Sequence, residues 1–126
     1  MKPKLLVAED HLAMRAKVVS LLKSGFDVVA LVGDGSSAVE AANELMPDVL
    51  VLDVSMPILN GPDVARRLRA QGCSAKIVFL SVSTDVDQIN RCFTAGGDAY
   101  VSKMRMGTDL SYAITEVLAG RTFVSP

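Results

Sequence analysis

Tryptophan is absent from this chain, histidine occurs once, cysteine twice, and all aromatic residues together make up 5%. Cys73 and Cys92 lie too far apart for a C-x-x-C pair and are too few for a disulfide scaffold, which points to a reduced, cytoplasmic protein. Neither sign of charge is in excess: thirteen basic residues against fourteen acidic ones leave a net charge of -1. That balance gives no general attraction to nucleic acid or to an anionic membrane. Arg66, Arg67 and Arg69 do cluster, and the expected reading is a solvated helix face. Long apolar runs are also missing. The segment Met1-Lys2-Pro3-Lys4 leads into a strand too short for a signal peptide or a membrane span, so a soluble protein is expected. No repeat, linker or low-complexity stretch interrupts the sequence.

What is present is a core. Half of the 126 residues are hydrophobic and 21% are charged, enough for one domain over 1–126 that buries roughly two thirds of its surface. Its organising stretch runs from Asp48 to Gly61. Val49 to Leu52 are four aliphatic residues in succession, an acid follows at Asp53, and Pro57, Asn60 and Gly61 make a turn cluster. A run this short and apolar on both faces reads as a central strand of a parallel sheet. Asp53 then stands at its carboxyl end, where open α/β sheets place their ligands.

The other segments repeat the arrangement. Leu5–Ala8 is a first strand ending in Glu9-Asp10, and Leu12–Leu22 fits a helix with Arg15, Lys17 and Lys23 outside. Phe26–Val32 is a second strand. Ser37 with Glu40 forms a capping box that starts a helix through Leu45. After the central strand, Asn60 or Gly61 caps a helix with Pro62 in its first turn and Gly72 at its end. Ile77–Leu80 delivers Ser81, Thr84-Asp85 starts a helix towards Ala95, and Gly96-Gly97 breaks it. Ala99–Val101 precedes Ser102-Lys103, and Leu110, Ala113, Ile114, Val117 and Leu118 mark a last amphipathic helix. Five strand-helix units in strict alternation predict a parallel five-stranded sheet covered on both faces. The strand ends bearing Asp10, Gly33, Asp53, Ser81 and Lys103 therefore share one rim.

Glu9, Asp10 and Asp53 become neighbours on that rim. At about 4 Å and an effective dielectric near 20, each like-charge contact opposes folding by roughly 4 kcal/mol. Lys103 offsets part of this, and a divalent cation would offset more; Mg²⁺ suits one or two carboxylates and keeps its waters. Asp53 is a plausible nucleophile for a phosphoryl group, with positioning and charge neutralisation as the main requirements. Ser81 adds a hydroxyl donor.

With these residues in place, the sequence resembles a receiver domain of a two-component response regulator. The resemblance rests on Glu9-Asp10, on Asp53 within D-V-S-M-P-x-x-N-G, on Ser81, and on Tyr100 three residues before Lys103. It implies the flavodoxin-like (βα)5 strand order 2-1-3-4-5. It also implies that Asp53 takes phosphate from a sensor histidine kinase or phosphotransfer protein, and that Asp10, Asp53 and the Ser55 carbonyl ligate Mg²⁺, with Glu9 acting mainly through water. Lys103 would pair with phosphoryl oxygens, Ser81 would swing towards them, and Tyr100 would follow inward. Such a domain is no enzyme beyond its own phosphorylation and dephosphorylation. Homodimerisation and transcriptional output are further implications. The tail from Gly120 to Pro126 resembles the exit from receivers of the NarL/LuxR type, with 121–126 expected to begin a linker to a helix-turn-helix domain outside this sequence; a stand-alone receiver is the other reading.

Three departures stand out. Ser81 replaces a frequent threonine, Met104 follows Lys103 in place of a frequent proline, and Gly96-Gly97 is softer than the usual ending. Plainer roles stay open: Glu9, Asp10 and Asp53 as caps and turn acids, Ser81 as a turn residue, Tyr100 as a packed strand residue, His11 as a helix start. Met104 and Met106 fit either ordinary loop positions or partner contacts. Gly33-x-Gly35-x-x-Ala38 mimics a dinucleotide fingerprint, but it occupies the second unit and leaves Glu9, Asp10, Ser81 and Lys103 without roles. An aspartyl-phosphate phosphatase would want a second acid in Asp53-Val54-Ser55.

Overall fold

In the computed structural model, which describes residues 2–126 and so leaves Met1 outside the described residues, the chain alternates strand and helix throughout. The strands are β1 (Lys4–Ala8), β2 (Asp27–Val32), β3 (Val49–Asp53), β4 (Lys76–Ser81), β5 (Ala99–Ser102) and β6 (Phe123–Val124). The helices are α1 (Leu12–Leu22), α2 (Gly35–Leu45), α3 (Gly61–Ala70), α4 (Val86–Thr94) and α5 (Met106–Leu118), with a short 3-10 turn at Lys103–Arg105. All strands run parallel in the order β2-β1-β3-β4-β5-β6. This is the doubly wound flavodoxin-like order expected, extended by one short strand that the sequence did not suggest.

Alternation along each strand divides the core in two. Leu6, Leu50, Leu52, Ile77, Phe79 and Tyr100 face α2, α3 and α4, whereas Leu5, Val7, Val49, Val51, Val78, Leu80 and Val101 face α1 and α5. Every residue of β3 is buried, as a central strand with a helix layer on each side must be. At roughly 1.5–3 kcal/mol for each fully buried aliphatic side chain, this double core fixes the rim on which the strand ends sit.

Several local expectations are corrected. The cap of α2 is Asp34, whose carboxylate accepts from both the amide and the hydroxyl of Ser37 at 2.7 and 2.9 Å, so Ser37 lies inside the helix. A charged acceptor on two donors outcompetes the hydroxyl cap. Of the two expected caps of α3, Asn60 is the one used, its side chain accepting from the Asp63 amide at 2.9 Å. Leu12, in the first turn of α1, is exposed, while Val18 and Leu22 reach the core. In α5 the stripe from Leu110 to Val117 is buried, but Leu118 lies at its border. Arg69 is not a solvated residue: its guanidinium donates to the carbonyls of Cys73, Ala75 and Gly96 and to Asp98, latching the ends of α3 and α4. Among the described residues no helix is long and apolar enough to cross a membrane.

Candidate functional site at the carboxyl rim

β1 and β3 are adjacent and in register, Ala8 beside Leu52, so Glu9 and Asp53 emerge together at the carboxyl end of the sheet. Glu9 is fully buried and Asp53 is 3% exposed, whereas Asp10 is largely open. Lys103 arrives from the end of β5. Its ammonium stands 2.8 Å from Glu9 Oε1 and 3.1 Å from Asp53 Oδ2. The expected pairing of Lys103 with the acids is thus centred on Glu9 as much as on Asp53. Despite this proximity, Oε1 of Glu9 has no aligned hydrogen-bond donor and is buried.

The electrostatics follow from two buried acids sharing one lysine. Burial pushes the Asp53 carboxyl up to about 6, and Glu9 beside it pushes the same way, against the pull of Lys103. Burial also opposes the charge of Glu9, but the Lys103 ammonium, the neighbouring Asp53 carboxyl and the hydrogen bond from the His11 amide outweigh it, so Glu9 lies below the usual carboxylate range. For Lys103 too, burial works against the charge and loses to the two carboxylates, which raise its pKa. Glu9 and Lys103 form the settled ion pair, and Asp53 is the group with charge in excess.

The other expected residues surround this centre. The Ser55 amide donates to Asp53 Oδ1 at 3.2 Å, and Ser55 lines an open cleft with Asp10, Asn60, Gln88 and Arg91. Ser81, at the end of β4, makes no hydrogen bond to Asp53; its hydroxyl accepts from the Ser83 amide at 3.1 Å and from Gln88 Nε2 at 3.0 Å. The Tyr100 ring is already inward, 1% exposed, with its hydroxyl donating to the Ser83 carbonyl at 2.7 Å. Glu9, Asp10, His11 and Asp53 each offer one ligand atom within 4.8 Å of the others, a cluster able to hold a metal ion. Of the two methionines left open above, Met106 is core and Met104 is exposed. The glycines of the dinucleotide-like motif are occupied by the protein itself: a side chain at Gly35 would run into the Leu59 backbone, and one at Gly33 into Arg15. No cradle for a pyrophosphate is left there.

The roles of three residues were not legible. Gln88 holds Ser81, Ser83 joins Ser81 to Tyr100, and Arg15 donates to the Glu9 carbonyl through Nε and Nη2 at 3.0 and 2.8 Å. Each acts through a contact between distant elements or with backbone, and no spacing pattern marks such a contact.

The fold and rim together define a doubly wound α/β domain whose polar site is made of acids, one lysine and one serine at the strand ends. Residues 5–115 match the family described as the response regulator receiver domain. Over 126 aligned residues the chain is 35% identical to a nitrate/nitrite response regulator protein homolog of Haemophilus influenzae, covering 98% of this chain and 61% of that protein. It is 39% identical over 100 residues to the nitrate/nitrite response regulator NarP of Escherichia coli, covering 78% of this chain and 46% of that one. The crystal structure of a LuxR-family two-component response regulator from Aurantimonas sp. SI85-9A1 superimposes with a TM-score of 0.95 at 28% identity, over 100% of this chain and 91% of that chain. The chain belongs to the receiver domains of two-component response regulators, of the NarL/LuxR type. It spans less than two thirds of the length of the two curated relatives.

Proposed function

We propose that Asp53 accepts a phosphoryl group from a phosphohistidine on a sensor histidine kinase or phosphotransfer protein, and that the rim converts this event into a change of surface. The observation that carries this reading is the buried carboxylate of Asp53 held 3.1 Å from the Lys103 ammonium and short of counter-charge. An ionised Asp53 oxygen attacks phosphorus, the P–N bond breaks, and its electron pair leaves on the imidazole. With a pKa of about 6, Asp53 is mostly ionised at neutral pH. Lys103 is placed to shift its donors from Asp53 to the new phosphoryl oxygens.

A hard divalent cation fits the donor set, since carboxylates dominate it and the buried Glu9 Oε1 lacks an aligned donor. Asp10 and Asp53 would hold Mg²⁺ with the Ser55 carbonyl, and Glu9 would act from behind them. When bound, the ion supplies neutralisation of the charge on the transferring phosphoryl oxygens.

Ser81 now accepts two hydrogen bonds, and its proton is free to turn to a phosphoryl oxygen. That turn loosens Gln88 and the Ser83 amide and thereby shifts the loop before α4, to which Tyr100 is bonded. Because Tyr100 is already inward, phosphorylation would strengthen an existing arrangement of α4, β5 and α5 more than create a new one. Output by a helix-turn-helix domain beyond 121–126, acting on transcription, and self-association belong to the same proposal. Intact mass after incubation with acetyl phosphate tests it: one added phosphoryl group that requires Mg²⁺ and is lost in Asp53→Asn is expected. No gain, together with no binding of beryllofluoride, would leave a phosphate-independent interaction module.

A further inference from the structure

We infer that Arg15 is a positioning residue for the acidic rim, its guanidinium holding the Glu9 peptide in the seat that Gly33 leaves open. This rests on the reading of the rim as a cation and phosphoryl site. Two nitrogens of one planar group meet a single carbonyl at 3.0 and 2.8 Å, which fixes direction as well as distance. On the other side of the same residue, the Glu9 amide donates to the Val32 carbonyl at 3.0 Å. Glu9 is thereby held by β2 through its N–H and by α1 through its C=O. The peptide so fixed joins Glu9 to Asp10, and its orientation sets where both carboxylates point.

Gly33 is the second observation. It directly follows Val32, and its backbone is not among those with left-handed φ, so its own conformation does not require glycine. A Cβ at Gly33 would stand 2.7 Å from Arg15 Nη2 and 4.0 Å from the Asp10 Cα. The missing side chain is the space in which the guanidinium lies. Because the clash would be with the far end of a flexible side chain, Gly33→Ala should expel Arg15 at little expense to the fold. The pair therefore offers two independent ways of removing one contact.

Partners that orient metal ligands typically contribute 10-fold to 100-fold in affinity. Binding of Mn²⁺ as a probe for the divalent ion, followed by loss of the free-ion paramagnetic resonance signal, reads this without any turnover. Arg15→Met, which keeps the stem, is expected to weaken Mn²⁺ binding by about 10-fold or more. Gly33→Ala should do the same, and the double variant should be no weaker than either single one. Arg15→Lys keeps the charge but not the fork and should recover only part of the affinity. Thermal denaturation in EDTA establishes that each variant is folded. Wild-type binding that is lost in Asp53→Asn but unchanged in Arg15→Met and Gly33→Ala would overturn this inference and leave the proposed function standing. Full recovery by lysine, or additive losses in the double variant, would overturn the paired-bond geometry. A wild-type chain that binds no Mn²⁺ would remove the reading beneath it and the inference together.

Discussion

Asp53→Asn should make the metal-free protein more stable, although it removes the residue on which the proposed function depends. The carboxyl of Asp53 rises from 3.8 to about 6 on folding, first through burial and then through Glu9. At about 1.4 kcal/mol for each pH unit, holding it ionised at pH 7.5 costs about 3 kcal/mol. Asparagine keeps the shape and an oxygen for the Ser55 amide, and Lys103 keeps Glu9 at 2.8 Å. The pull of Lys103 is already contained in the value of about 6; the imperfect match of an amide to surroundings placed for the acid offsets roughly 1–2 kcal/mol, so a net gain of about 1–2 kcal/mol remains. For a chain of this length that is a rise in Tm of about 3–8 °C. The pH dependence has a definite sign. A group whose native pKa exceeds its unfolded value binds more protons when folded, so wild-type stability falls as pH climbs from about 4 to about 6. The advantage of Asp53→Asn must therefore shrink between pH 7.5 and pH 5. Differential scanning calorimetry in EDTA measures it, and added Mg²⁺ should raise the wild-type Tm much more than that of the variant. A variant no more stable than wild type at pH 7.5, or a gain that grows on acidification, would refute the charge excess assigned to Asp53.

Lys103→Met leaves Glu9 and Asp53 buried without their cation and should destabilise the metal-free protein by about 3 kcal/mol at pH 7.5 in urea denaturation, with a smaller loss at pH 5, where Asp53 takes a proton. Arg69→Met takes the guanidinium from three carbonyls and leaves Asp98 with only the Ile77 amide; a loss of about 3 kcal/mol is expected by the same method, and a loss below about 0.5 kcal/mol would show the latch to be incidental. Ser125→Ala removes the hydroxyl that donates to Asp109 at 2.8 Å and accepts from the Ser102 amide at 3.0 Å, so hydrogen exchange at Ser102 should quicken and stability fall by about 1–2 kcal/mol. Burial disfavours the Asp109 charge, but Ser125, Arg105 and Thr108 outweigh it and lower its pKa. Its contribution is present above the ordinary carboxylate range and lost as pH falls through the lowered value, so Asp109→Asn should flatten the acid limb of the stability profile.

The sheet was legible because its central strands are buried on both faces. Val49 to Leu52 can be read as a strand without knowing a neighbour, and alternation with helices then forces one rim. Glu9, Asp10, Asp53 and Lys103 could be gathered for that reason alone. The start of α2 was misread because Ser37 and Glu40 satisfy a capping pattern that Asp34 overrides by accepting two hydrogen bonds. β6 was missed because two residues carry no periodicity, and its existence depends on a free edge at β5. Arg69 and Arg15 looked alike as surface charges; what separates them from Arg67 is the backbone carbonyls that the fold brings to them. The inward Tyr100 was beyond reach too, since its partner is the Ser83 carbonyl and not a side chain.

The two residues of β6 change what the sheet offers to its surroundings. Without them β5 would present an unpaired row of amides and carbonyls beside four buried side chains, a template for another chain to extend. With them the margin on that side is only Phe123 and Val124, pinned by the Tyr112 ring at 5.3 Å and by the Ser125 amide on the Tyr100 carbonyl. Pro126 follows and has no N–H to continue the ladder. A margin only two residues long, with a proline soon after it, is a poor template for edge-to-edge pairing.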